Sequence, residues 1–136
     1  MAGAARRLPV LLAVLVAPLL FGCSWASLTV QIDDFTASEV LGISVHRLDE
    51  ATGTFVHHAD IEFLGTTEKD GVEFLEFRFH DFELDRTVNL QTELVDLGDD
   101  RVQLRLVFSR LTPGVFKVSA YNAYGDSGLS EGSVRI

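Results

Sequence analysis

From Leu28 onward, apolar side chains return at every second position, in short runs broken by Gly, Asp and Thr. A strand turns successive side chains to opposite faces, so a period of two marks half-buried strands. Leu28-Thr29-Val30-Gln31-Ile32 alternates in this way. So does the stretch from Arg101 to Ser109, with Val102, Leu104, Leu106 and Phe108 on one side and Gln103 and Arg105 on the other. Further strands are expected over residues 41–48, 54–64, 72–84, 87–97 and 129–136, with a turn at Glu50-Ala51-Thr52-Gly53 and a polar loop at 66–71. No heptad, helical stripe or repeat competes with this pattern, so the fold class is all-β, an antiparallel sandwich. The most apolar run holds Val72, Phe74, Leu75, Phe77, Phe79, Phe82 and Leu84. Its alternation slips at Phe74-Leu75, as a bulge or burial on both faces would allow, and a second slip falls near Thr92. These side chains read as core rather than as the lining of a ligand groove, because a domain without disulfides draws its stability from them.

A different pattern precedes this domain. Arg6 and Arg7 stand before an apolar run over residues 8–21. Such a run is shorter than the ~20 residues of a spanning helix and has the length of a signal-peptide core. Residues 1–22 are therefore expected to be an export signal and residues 23–136 a single β domain. Leu20-Phe21-Gly22-Cys23 resembles the bacterial lipobox. The resemblance implies that Cys23, the one cysteine, carries a diacylglycerol thioether and that acyl chains anchor the protein in the membrane. Ser24 after that cysteine implies, by the same resemblance, the outer membrane of a Gram-negative cell. A second cleavage remains open: Ser24-Trp25-Ala26 is a small-x-small site that releases a soluble, secreted chain starting at Ser27.

The formal net charge is −9, and losing Arg6 and Arg7 with the signal makes it more negative by two. A nucleic-acid partner is excluded by this balance, because phosphates demand a basic face. The scattered acids read as solubilising charge. The lack of cystine pairs and of Asn-x-Ser/Thr acceptors points to a bacterial envelope rather than an animal extracellular domain.

Near the C-terminus, Pro113-Gly114 leads into Phe116-Lys117-Val118-Ser119-Ala120-Tyr121-Asn122-Ala123-Tyr124-Gly125. This resembles strand F and the F–G turn of immunoglobulin-like and fibronectin type III domains. Phe116 stands at the tyrosine-corner place and Val118 at the strand F cysteine, while Ala120, Asn122 and Gly125 match as they are. The resemblance implies an immunoglobulin-like, fibronectin III-like sandwich. Tyr121 and Tyr124 then lie at the strand end and in the turn, as a candidate contact surface for a protein or glycan.

Chemistry-bearing clusters are sparse. His57-His58-Ala59-Asp60 holds metal-ligand residue types, and in a regular strand His58 and Asp60 share a side. No His-x-x-His or cysteine completes it, so His57, His58 and Asp60 are weak metal candidates against exposed polar residues, with His80-Asp81 as a possible addition from another strand. Asp33-Asp34, Asp49-Glu50 and Asp99-Asp100 sit at turns and read as turn formers rather than Ca²⁺ ligands. No nucleophile elbow is present, and no cofactor is implied. The expected function is non-catalytic: an exported, lipid-anchored envelope protein whose domain binds a protein or glycan. The alternatives are an assembly accessory of an envelope complex, or a small secreted hydrolase or metal-binding protein.

Overall fold

A computed structural model describes residues 11–16, 25–109 and 113–135. The described residues are all-β. The strands are β1 (Leu11–Val16), β2 (Trp25–Ile32), β3 (Gly42–Asp49), β4 (Thr54–Lys69), β5 (Val72–Asp81), β6 (Arg86–Gly98), β7 (Arg101–Ser109), β8 (Val115–Asn122), β9 (Gly125–Asp126) and β10 (Val134–Arg135). They form one antiparallel sheet in the order β1-β2-β7-β6-β5-β4-β3-β8-β10, with β9 on β8. The sheet curls until its ends approach, so that Cα atoms of β1 come within 8 Å of β8 and β10.

Inward positions from every strand between β2 and β8 except β6 meet in one buried cluster. It runs through Leu28, Val30 and Ile32 of β2, Ile43 and Val45 of β3, Phe77 and Phe79 of β5, Leu104 and Leu106 of β7, and Phe116 and Val118 of β8. Leu90 and Leu94 of β6 pack against its margin. This is the period of two made physical: each strand offers alternate side chains to the core, where aromatic and branched groups remove the most apolar surface from water.

Departures from the expected strands have local causes. Residues 66–69 are strand rather than loop, because Asp70 and Gly71 (φ 53° and 79°) make a two-residue turn and let the β4–β5 hairpin run past the core. The bulge falls on β4 between Phe63 and Gly65, opposite β5, so Leu75, Phe77 and Phe79 stay in step. The slip near Thr92 marks a change of partner: β6 pairs with β5 up to Glu93 and with β7 from Leu94. Phe82 and Leu84 are exposed rather than core, at 42% and 47%. Asp81 Oδ1 accepts the Glu83 and Leu84 amides at 2.9 and 3.0 Å and bends the chain out of β5 before they arrive. The closing strand is reduced to Val134 and Arg135 against Phe116 and Val115. The apolar run over residues 8–21 contains β1, which lies antiparallel on β2 with Leu15 opposite Leu28 and Leu11 opposite Ile32. Cys23 lies outside the described residues.

Candidate functional site

The outward face of β8, β3, β4 and β5 collects most of the candidate residues. Core positions alternate with polar ones along these strands, so Ser119 and Tyr121 of β8, Ser44 and His46 of β3, Asp60 of β4 and His80 of β5 come out on the side away from the core. Ser44 and Ser119 are nonetheless buried, at 6% and 2%, because larger neighbours cover them. The result is a polar floor with its own bonds. Ser44 Oγ donates to Asp60 Oδ1 at 3.2 Å, the same oxygen lies 2.6 Å from His57 Nε2, and His46 Nε2 lies 3.3 Å from Ser119 Oγ.

Above that floor, four rings from three strands and the turn after β5 stand in a row. His46 stacks on His57 with centroids 5.2 Å apart and planes 26° from parallel. His57 meets the edge of Phe82 at 4.9 Å, and Phe82 meets His80 at 4.8 Å. Burial and the neighbouring His57 hold the His46 imidazole below its ordinary value of 6.5, with Asp126 and Asp60 pulling weakly the other way.

Tyr121 lies at the distal end of this face. Its ring rests on Gly42, the residue opposite it in β3, where a Cβ would collide with the Tyr121 phenol and the Ile61 carbonyl. The glycine is what lets a tyrosine lie flat across the sheet. Burial, reinforced by Asp60, Glu62 and Asp126, pushes the Tyr121 hydroxyl up to about 12. Tyr124 stands apart in the β8–β9 turn, 56% exposed, its amide held by Asn122 Oδ1 at 2.8 Å. The two tyrosines are thus unequal: one covers a neighbouring strand and the other is open to contact.

His58 and Asp60 do not share a side. Val45 pairs with Ala59 and His46 with His57, so His58 is the extra residue of a bulge and turns inward. There it meets Phe116 edge-on at 5.7 Å and is 7% exposed. Its Nε2 stops 3.9 Å from Asp81 Oδ2, longer than a hydrogen bond, and both atoms are buried without a partner. Among the described residues, no group of three or more His, Cys, Asp or Glu side chains could hold a metal ion. The turn carboxylates act on backbone: Asp100 accepts from Thr36 N at 2.9 Å and Ala37 N at 2.9 Å, and Asp49 from Ala51 N at 3.0 Å. Phe74 and Phe77 do line an open recess, together with Leu90, Thr92, Arg105 and Val107, where β6 leaves β5 for β7.

Sequence reasoning singled out His57 and Asp60 as one cluster and Tyr121 apart from them, and the sheet brings the three to one face. It missed His46 and Phe82. The signal for His46 was its place between Val45 and Arg47 on a strand with Ile43 inward, which fixes it outward. Nothing local signalled Phe82, since its exposure depends on the turn made by Asp81. No protein-family model, curated protein or solved structure matches the chain.

Proposed function

We propose that the chain is an exported, lipid-anchored protein of the bacterial cell envelope whose immunoglobulin-like domain is a non-catalytic binding module for a protein or glycan. The observation that carries the binding reading is the row His46–His57–Phe82–His80, with its exposed phenyl ring and the Asp60 carboxylate at its side. Rings held by their neighbours lose little freedom when a partner lands on them, and they offer stacking faces beside hydrogen-bonding groups to a sugar or a peptide. Tyr124, exposed in the β8–β9 turn, is a second candidate contact residue apart from that row.

Strand order supports the immunoglobulin-like reading. β1-β2-β7-β6 and β10-β8-β3-β4-β5 follow the A-B-E-D and G-F-C-C′-C″ orders of a variable-type domain. Val118, fully buried in β8, stands where that family places its strand F cysteine. The charged n-region, the apolar run and the position of Cys23 support export and lipidation.

The test places a photoactivatable residue at His80, and separately at Glu68 on the β4–β5 hairpin, in the membrane-bound protein in living cells. Adducts from position 80 that are lost when Phe82→Ala is added, with none from position 68, support the ring row as the contact face. Equal adducts from both positions, or no effect of Phe82→Ala in a protein that melts normally, overturn it.

A further inference from the structure

Strand β1 is made from the middle of the export signal. Residues 11–16 lie inside the apolar run at 8–21, upstream of both candidate cleavage points. In the full chain this segment pairs with β2 over six residues and also approaches β8 and β10. It is the strand that closes the curled sheet.

Resting on the export reading above, we propose that cleavage vacates this position and that the processed domain takes up an extended, apolar segment of another envelope protein as its replacement strand. Cleavage at either point leaves the β2 edge with unpaired N–H and C=O groups and a slot bounded on the far side by β8 and β10. The inward residues of β2 on the slot floor, Leu28, Val30 and Ile32, are almost fully buried while the slot is filled. An open slot therefore presents apolar side chains as well as backbone, and both are satisfied by one added strand. The seat of β1 specifies the occupant: about six residues, antiparallel to β2, apolar where it faces Leu28, Val30 and Ile32. A second copy of the domain fits poorly. In the full chain that position holds one strand, with β8 and β10 close on its far side, and a second β2 edge would bring its whole sheet with it.

The experiment uses the processed protein purified from membranes after expression of the whole chain. Intact mass is measured first, then hydrogen exchange of β2. Exchange is followed alone and with a peptide of residues 11–16 flanked by lysines for solubility, against the same peptide with aspartate at positions 11, 13 and 15. The expected result is a mass that lacks residues 1–22, fast exchange at the β2 amides that face β1, and slowing by about tenfold or more with the apolar peptide only. Protection of those amides without peptide in a monomer overturns the proposal, since the chain then covers its own edge. Protection that grows with protein concentration overturns it in favour of a second copy. No slowing by either peptide also overturns it. A mass starting at Ser27 removes the lipid anchor but leaves the vacated edge standing. A mass retaining residues 1–22 overturns the export reading and this inference together.

Discussion

Gly42 is the residue on which the outward face turns. It has room for a tyrosine across it and none for a side chain of its own. Gly42→Val is expected to cost about 1–3 kcal/mol, the usual penalty for overpacking, measured by urea unfolding. It should also lift the Tyr121 ring off the sheet, so an ultraviolet titration shows the late tyrosine ionisation near 12 moving down; Tyr121→Phe abolishes that phase altogether. Asp100 gives a second test. The Thr36 and Ala37 amides hold its carboxyl below the ordinary 3.8. A depressed folded value means that the contribution is complete above the unfolded value and disappears as pH falls through the folded one. Asp100→Asn is therefore expected to lower the melting temperature at pH 7, with the gap to the parent protein closing only below about pH 4. His46 works in the opposite sense to a stabilising ion pair. Its imidazole resists protonation when folded, so the domain loses stability as pH drops below 6.5, and His46→Gln is expected to flatten the melting-temperature profile between pH 7 and 5.

At the level of elements, β5 holds the centre, with Phe77 and Phe79 both 1% exposed. Phe77→Ala is expected to cost about 3–5 kcal/mol by the same unfolding measurement, because the cavity it leaves sits where β4, β5 and β6 meet. The strands themselves were legible because each keeps one face buried, and burial imposes alternation that a reader can see. The bulges were not. His58 turns inward because β3 and β4 slip by one residue between the pairs Val45–Ala59 and His46–His57, a fact about two strands that neither sequence carries alone. The same holds for the partner change in β6, visible in sequence as a slip at Thr92 with no indication of what lay on either side. Tyr121 could be placed on an outward face from its neighbours Ala120 and Val118, but its bed on Gly42 required the register of β3 against β8. The ring row was hidden for the same reason, since its four members come from β3, β4, β5 and the following turn.

For the whole molecule, the proposed point of anchoring and the strands are close in sequence. Cys23 stands two residues before β2, and two residues reach at most about 7 Å, so a lipid on Cys23 would hold the start of the sheet at the bilayer surface. Cys23→Ala is expected to move the protein from the membrane to the soluble fraction without changing its melting temperature, as judged by fractionation and circular dichroism. The turns at Asp33-Asp34, Asp70-Gly71 and Asp99-Asp100 lie at the other end of the strands, whereas Asp49-Glu50 and the turn from Asp81 to Arg86 lie at the end where β2 begins, so both ends of an anchored domain carry acidic turns. The pairing of β2 with β7 has a further consequence, in time rather than in space. Trp25 is matched with Ser109, and Ile32 with Val102. A chain threaded through a membrane from its N-terminal end delivers β2 early and its partner among the last strands. Throughout that interval β2 is an apolar strand without its β7 neighbour, its β7-side edge open to pairing with any other nascent chain. Long-range pairing of this kind also slows folding once the chain has arrived. For a chain exported as proposed above, yield in the cell is expected to follow how long β2 waits, so that faster translocation or an envelope holdase raises it while leaving the equilibrium stability of the finished domain unchanged.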